Sequence, residues 1–235
     1  MFPLKTLRKP ETTPWVTYGL ILINVLVFGW ELTLSRAELG QQFFALAVVP
    51  CEMTRNLLSP ETVLDSVRSL FLHNGWVHLV GNMVFLYMFG PNVEAYLGKA
   101  KYIFFYLAAG FAASFLHAAI SWKMCVPVIG ASGAIFGVMG AFVLLYPATR
   151  IRTLAFFFRV PIGTADVQAF YLLFTFFIMD LFNGIASLGV QTSQSSGVAV
   201  WAHVGGFLMG LVLAFIFMLF RPPPPVDPFE HLDAE

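Results

Sequence analysis

The chain has 235 residues, of which 58% are hydrophobic and 11% are charged, and its acidic and basic residues balance to a formal net charge of zero. A soluble domain carries about 25% charged residues, so this composition indicates a membrane protein. The zero net charge gives no reason to expect a nucleic-acid partner.

Apolar segments long enough to cross a bilayer recur along the chain. They predict an all-α polytopic membrane protein with six transmembrane helices, at residues 15–32, 76–97, 102–122, 131–146, 167–187 and 198–220. The predicted organisation is an N-terminal segment at 1–14, a six-helix domain at 15–220 and a tail at 221–235. Residues 1–14 are polar and too irregular for a helix. The long connection at 33–75 is unusual between membrane helices, so we expect it to be structured and functional.

Basic residues predict the orientation of these spans, because cytoplasmic loops carry an excess of Lys and Arg. One side of the bundle receives Lys5, Arg8, Lys9, Lys99, Lys101, Arg150, Arg152, Arg159 and Arg221. The other side receives Arg36, Arg55, Arg68 and Lys123. Both termini are therefore expected in the cytoplasm, with the 33–75 connection outside.

A serine stands at the start of the fourth predicted span, in the stretch Gly130-Ala-Ser132-Gly133. The first N–H groups of a helix have no intrahelical acceptor, and with the helix dipole they favour an anion beside the serine oxygen. His203 lies in the sixth span. Such a pair suggests a nucleophile and its general base. The alternative is that Ser132 caps its helix and His203 is a core histidine with satisfied hydrogen bonds.

Depth in the membrane decides between these alternatives. Ser132 and His203 each lie 18 residues before the basic residue that marks the cytoplasmic end of the span, which places both about 27 Å above that end. By the same measure, His78 and Asn82 of the second span reach the same layer near the outer surface. Polar groups inside a membrane are costly and usually face an interior or a water-filled cavity. A shared layer therefore favours a functional site.

His78 and Asn82 are four residues apart and so project from one helix face. Their N–H groups, with the backbone amide of Ser132, are suited to binding a tetrahedral oxyanion. The alternative role is hydrogen bonding between helices.

Small residues at four-residue spacing predict close contact between the fourth and sixth spans. They are Gly133, Gly137 and Ala141 in one span and Gly206 and Gly210 in the other. Phe136 lies one turn below Ser132, where its ring is placed to stack on His203.

These motifs resemble those of bacterial rhomboid intramembrane serine proteases, over about residues 14–220. The matching signatures are His73 followed by His78-x-x-x-Asn82, the Gly130-x-Ser132-Gly133 motif, and Ala202-His203-x-x-Gly206-x-x-x-Gly210. The resemblance implies that Ser132 is the nucleophile and His203 the base of a two-residue dyad. It implies His78 and Asn82 as oxyanion-hole side chains, with supporting roles for Phe136, Gly130, Gly133 and Gly206.

The resemblance also implies an endopeptidase of the bacterial inner membrane that cuts transmembrane protein substrates near the outer face. Its partners would be those substrates and membrane lipids, and it would need no cofactor and no metal. Water is expected to reach Ser132 through a cavity open to the outside, beneath the loops near 121–130 and 188–197. The resemblance implies that the fifth span, flanked by the uncharged residues 188–197, forms a lateral gate. The cleavage sequence and the oligomeric state stay open. The alternative function is a non-proteolytic binding or quality-control scaffold of the same fold.

The chain departs from the family pattern at two places. The family usually has Tyr where this chain has Phe136, and many relatives carry Trp-Arg where this chain has Leu64-Asp65. Glu94 does match a family pattern, and we expect it to be a structural hydrogen-bonding group.

Asp180, in the fifth span, is a candidate third member of a catalytic triad. Because the resemblance implies a dyad, we expect Asp180 to hydrogen-bond near the outer water instead.

The two cysteines, Cys51 and Cys125, have no metal-ligand spacing. Both are expected on the oxidising side, where a disulfide is possible, but the pattern favours two independent small apolar residues.

Overall fold

The computed structural model describes residues 2–57, 59–157, 160–188 and 199–225. Its helices are α1 (Trp15–Glu31), α2 (Arg36–Leu46), α3 (Pro50–Met53), α4 (Pro60–Arg68), α5 (Trp76–Leu97), α6 (Lys99–Ile120), α7 (Ser132–Leu145), α8 (Ala169–Ser187) and α9 (Val200–Met218), with a 3₁₀ turn at Ser69–Phe71. Its strands are β1 (Phe2–Thr6), β2 (Arg150–Phe157) and β3 (Val160–Gln168).

A helix occupies each of the six segments that the sequence predicts as a membrane span. By length and composition, three of the described helices are suited to cross a membrane, namely α6, α8 and α9. Helices α1 and α7 are apolar but shorter, and the 22-residue α5 carries several polar side chains. These helices make the protein a polytopic membrane protein that is mostly helical.

The prediction of an all-α fold is wrong in one respect, because the chain forms a three-stranded antiparallel sheet in the order β1-β2-β3. Ile151 and Thr153 are fully buried, whereas Arg150 is exposed and Arg152 is partly exposed. This alternation has the period of two that is typical of a half-buried strand. A prediction based on apolar helical spans does not detect this alternation. The pairing of β1 was also hard to predict because its partner β2 lies far along the chain.

The long connection at 33–75 is structured, as predicted. It contains α2, α3, α4 and the 3₁₀ turn, and α2 begins with a capping box between Ser35 and Glu38. Cys51 and Cys125 form a disulfide with a Cα–Cα distance of 5.2 Å. Backbone bonds from Cys51 N–H to the Met124 carbonyl oxygen (3.0 Å) and from Val128 N–H to the Val48 carbonyl oxygen (2.8 Å) lie beside it. The connection is therefore fastened to the segment that precedes Ser132.

Glu94 ties the second predicted span to the start of the first. Its carboxylate, buried at 2% exposure, accepts bonds from Val16 N–H (2.9 Å), Thr17 N–H (2.8 Å) and the Thr17 hydroxyl (2.8 Å). These are free donors of the first turn of α1, where a negative charge also complements the helix dipole. The predicted structural hydrogen-bonding role of Glu94 is confirmed.

Helix α7 lies at the centre of the bundle, with most of its side chains buried. Its backbone contacts that of α9 directly. A Cβ atom added to Gly206 would lie 1.9 Å from the Gly133 carbonyl oxygen, and one added to Gly210 would lie 2.0 Å from that of Gly137. The predicted close contact through small residues is thus present, and no side chain fits at these positions without separating the two helices.

We predict that Gly210→Ala destabilises the protein by roughly 1–3 kcal/mol, the usual cost of overpacking, because its neighbour is backbone rather than a flexible side chain. Gly19→Ala on α1 is the matched control, since an added Cβ there meets nothing within 4 Å. Thermal unfolding in detergent micelles measures both variants. Equal midpoints for Gly210→Ala and the unmodified protein would contradict the packing argument.

Candidate active site

Ser132 is the first residue of α7, and its hydroxyl does not cap the helix. Gly130 has φ of +117°, a backbone conformation that favours glycine, and its N–H donates to the Ser69 carbonyl oxygen at 2.8 Å. The N-cap residue is Ala131, and no side chain caps the helix. The alternative in which Ser132 acts as a helix cap is therefore excluded.

The Ser132 hydroxyl is hydrogen-bonded to His203. Oγ lies 2.9 Å from Nε2 of the imidazole on α9, which is hydrogen-bond reach for a nucleophile and its base. The Phe136 ring stacks on the His203 ring with centroids 4.1 Å apart and planes within 6°, as the sequence predicted. The stacked Phe136 ring thus helps to hold the imidazole beside the serine.

The second ring nitrogen of His203 is occupied by Asp180 of α8. Nδ1 lies 2.7 Å from Oδ2 of the carboxylate. The expectation that Asp180 hydrogen-bonds near the outer water, apart from the site, is therefore wrong. The sequence did contain a signal, because Asp180 is the one charged residue within the predicted span 167–187, and an ionisable group inside a membrane marks a functional site by default.

His78 and Asn82 face the loop beside Ser132. A Cβ added to Gly130 would lie 2.6 Å from His78 Nε2 and 3.6 Å from Asn82 Nδ2. The backbone N–H of Asn74 approaches His78 Nδ1 at 3.4 Å, which makes Nδ1 the acceptor and leaves Nε2 as the N–H donor. The structure therefore brings both predicted oxyanion-hole side chains, with their donors, to the N-terminus of α7.

His73 holds Asn82 in place. The sequence did not predict this role, although His73 belongs to the motif that matches the family. Its Nδ1 lies 3.3 Å from the Phe71 carbonyl oxygen and its Nε2 lies 2.9 Å from Asn82 Nδ2. A carbonyl only accepts, so Nδ1 donates and Nε2 accepts from the Asn82 amide. The His73 backbone N–H donates to Glu31 Oε1 at 3.0 Å. This leaves the second amide hydrogen of Asn82 for a ligand.

Burial sets the charge of His73, which precedes α5 and is 1% exposed. Desolvation, together with the nearby His78, lowers the pKa of His73 to about 4. The ring is neutral at physiological pH, as its acceptor role toward Asn82 requires. Among the described residues, no group of three or more His, Cys, Asp or Glu side chains is arranged to hold a metal ion.

Apolar helices, with a serine and a histidine hydrogen-bonded between two of them, define a polytopic membrane protein with a Ser–His pair of the kind that hydrolases use. The chain belongs to the Rhomboid family, since the family model described as "Rhomboid domain" matches residues 60–220. This confirms the resemblance drawn from the sequence motifs.

Named relatives are similar over large parts of this chain. "Rhomboid protein 1, mitochondrial" of Saccharomyces cerevisiae is 29% identical over 212 residues, covering 84% of this chain and 51% of the relative. "Rhomboid protease GluP" of Bacillus subtilis is 34% identical over 145 residues, covering 62% of this chain and 24% of the relative. "Putative rhomboid protease YdcA" of the same organism is 25% identical over 150 residues, covering 64% of this chain and 65% of the relative. The chain spans about half the length of the mitochondrial relatives from yeast and Arabidopsis thaliana.

Protonation of His73 is expected to oppose folding. The pKa of His73 is about 4 in the folded chain, against about 6.5 in the unfolded chain. The neutral His73 ring therefore makes its full contribution to the free energy of unfolding above about pH 6.5, and this contribution is lost as the pH falls toward 4. We predict that the thermal midpoint of the unmodified protein falls more steeply over this interval than that of His73→Gln. Parallel curves for the two proteins would show that His73 does not titrate in this way.

Proposed function

We propose that this protein is an intramembrane serine endopeptidase with Ser132 as nucleophile and His203 as general base. The observation that carries the proposal is the 2.9 Å contact between Ser132 Oγ and His203 Nε2, made at a helix N-terminus beside two side-chain N–H donors. Membership of a family that includes "Rhomboid protease GluP" supports the same activity.

The first half of the reaction acylates the serine. Ser132 Oγ attacks the carbonyl carbon of the scissile bond while its proton passes to His203 Nε2. The carbonyl oxygen becomes an oxyanion that accepts hydrogen bonds from Asn82 Nδ2, His78 Nε2 and the free backbone N–H of Ser132. When the intermediate collapses, the C–N bond breaks and His203 returns the proton to the leaving amine.

The second half releases the other product. Water gives a proton to His203 Nε2 and attacks the acyl carbon, and the same donors bind the second oxyanion. Collapse breaks the bond to Ser132 Oγ, which regains the proton from His203. The free carboxylic acid then leaves and the pair is restored.

The substrate class follows from the position of the site. A peptide bond within a transmembrane helix is hydrogen-bonded, so a substrate must unwind locally before its carbonyl reaches Ser132. Gly, Ser or Pro near the outer end of the substrate helix lowers the cost of that unwinding. Helix α8 is the proposed lateral gate because it is the least buried of the three long apolar helices. Of its 18-residue apolar segment 28% is buried, compared with 44% for the corresponding segments of α6 and α9. Residues 189–198, which take up most of the adjoining predicted loop, lie outside the described residues.

We further propose a six-span protein of the bacterial inner membrane with both termini in the cytoplasm. The excess of basic residues on the side of β1 and β2 supports this orientation. The Cys51–Cys125 disulfide supports it independently, since disulfides persist on the oxidising side. The cytoplasmic placement of residues 226–235 also belongs to this proposal, and these residues lie outside the described part of the chain.

We predict that Ser132→Ala and His203→Ala each abolish cleavage of a transmembrane model substrate while thermal unfolding stays cooperative. Ser187→Ala, which removes an exposed serine at the end of α8, is the matched control and should retain activity. Labelling by a fluorophosphonate probe, read by mass spectrometry at Ser132, separates the protease from a non-proteolytic scaffold. An unlabelled, folded protein that binds membrane substrates without cutting them would establish the scaffold instead.

Asn82→Ala is predicted to lower kcat more than it alters KM, because its contact with the oxyanion strengthens in the transition state. Loss of one donor costs up to about 10²–10³-fold in kcat, and His78 with the Ser132 amide reduces that loss. Steady-state cleavage in detergent or liposomes provides the measurement. A change confined to KM would assign Asn82 to substrate binding.

A further inference from the structure

The side chain that contacts His203 opposite Ser132 is a carboxylate. Asp180 Oδ2 lies 2.7 Å from Nδ1, within the range of about 2.7–2.9 Å for charge-assisted N–H···O bonds. The two side chains are 12% (His203) and 20% (Asp180) exposed, so water competes weakly for either group. A dyad requires no such partner, yet the partner is present.

The contact determines which nitrogen of His203 carries the proton. A carboxylate accepts hydrogen bonds and does not donate them, so Nδ1 must be the N–H donor. In the neutral ring Nε2 is then unprotonated, and it faces the Ser132 hydroxyl at 2.9 Å. This is the tautomer that a general base needs before the serine attacks.

The same carboxylate stabilises the charge that His203 gains during the reaction. When Nε2 takes the proton from Ser132, the ring becomes an imidazolium that keeps its Nδ1–H bond to Asp180. His78 on α5 and His117 on α6 are also near enough for their charges to interact with His203. Both are histidines and offer no negative charge. Of these neighbours, Asp180 alone favours the imidazolium.

We propose that Asp180 is a positioning residue that converts the Ser132–His203 dyad into a Ser–His–Asp arrangement. Asp180 holds the His203 tautomer and orientation and opposes the charge of the imidazolium, without itself taking the proton. The inference rests on the proposed protease function, and it departs from the two-residue mechanism that the family resemblance implies.

The test compares Asp180→Asn, Asp180→Ala and Asp180→Glu with the control Asn183→Ala, an exposed polar residue on the same helix. Asp180→Asn is expected to lower kcat by at least about 10-fold, and by as much as about 10⁴-fold if the tautomer is reversed, with KM changed little. The acidic limb of its pH–rate profile should move to lower pH, because a neutral partner no longer stabilises the imidazolium. Asp180→Glu should recover part of the rate, and Asn183→Ala should match the unmodified protein.

A merely structural role for Asp180 would lower the thermal midpoint and leave the pH–rate profile in place, and that result overturns the proposal. An unmodified protein that cleaves nothing would instead remove the proposed function. If the variants do not fold, ring-nitrogen NMR of the unmodified protein labelled with ¹⁵N-histidine decides, with His203 assigned through His203→Ala. Protonated Nδ1 and unprotonated Nε2 are expected, and the opposite pattern contradicts the proposal.

Discussion

Direct contact between the backbones of α7 and α9 is the constraint on which the site depends. Gly133 and Gly137 present their carbonyl oxygens where Gly206 and Gly210 have no side chain, so the helices approach as closely as their main chains allow. Ser132 and His203 lie at one end of this contact. Their separation is therefore set by rigid main-chain packing rather than by long side chains, which is the kind of support that a catalytic pair needs to hold its geometry.

Two buried polar side chains of the bundle, Glu94 and Asn82, offset their desolvation through hydrogen bonds. Glu94 is paired with the first turn of α1, and Asn82 is paired with His73. An unpaired buried polar group would cost roughly 1–3 kcal/mol, so these contacts also select one arrangement of the helices. The Asn82–His73 contact also orients the amide of Asn82 beside the loop that precedes Ser132, so packing specificity and the proposed chemistry use the same atoms there.

Much of this arrangement could be predicted from the sequence, because membrane helices are long apolar segments and their polar residues are few. The positions of the apolar helices followed from hydropathy, and the stacking of Phe136 on His203 followed from residue spacing. The sheet did not, since β1 pairs with residues some 150 positions away and short strands give a weak local signal. The role of His73 depends on how the loop before α5 folds back on Asn82, and that of Asp180 on a contact between α8 and α9. Neither contact has a signature in residue spacing along one helix.

Backbone hydrogen bonds anchor the start of α8, so a tilt of the helix about this point would displace its C-terminal half most. The N–H groups of Ala169 and Phe170 donate to the carbonyl oxygens of Thr149 and Pro147 at 2.7 and 3.2 Å, and β3 runs directly into the helix. Asp180 lies 11 residues further along, about 16 Å from this pivot. A tilt of about 10° would carry its carboxylate about 3 Å, a distance comparable to the hydrogen bond itself. A rotation of this size about the start of α8 would thus break or restore the hydrogen bond between Asp180 and His203.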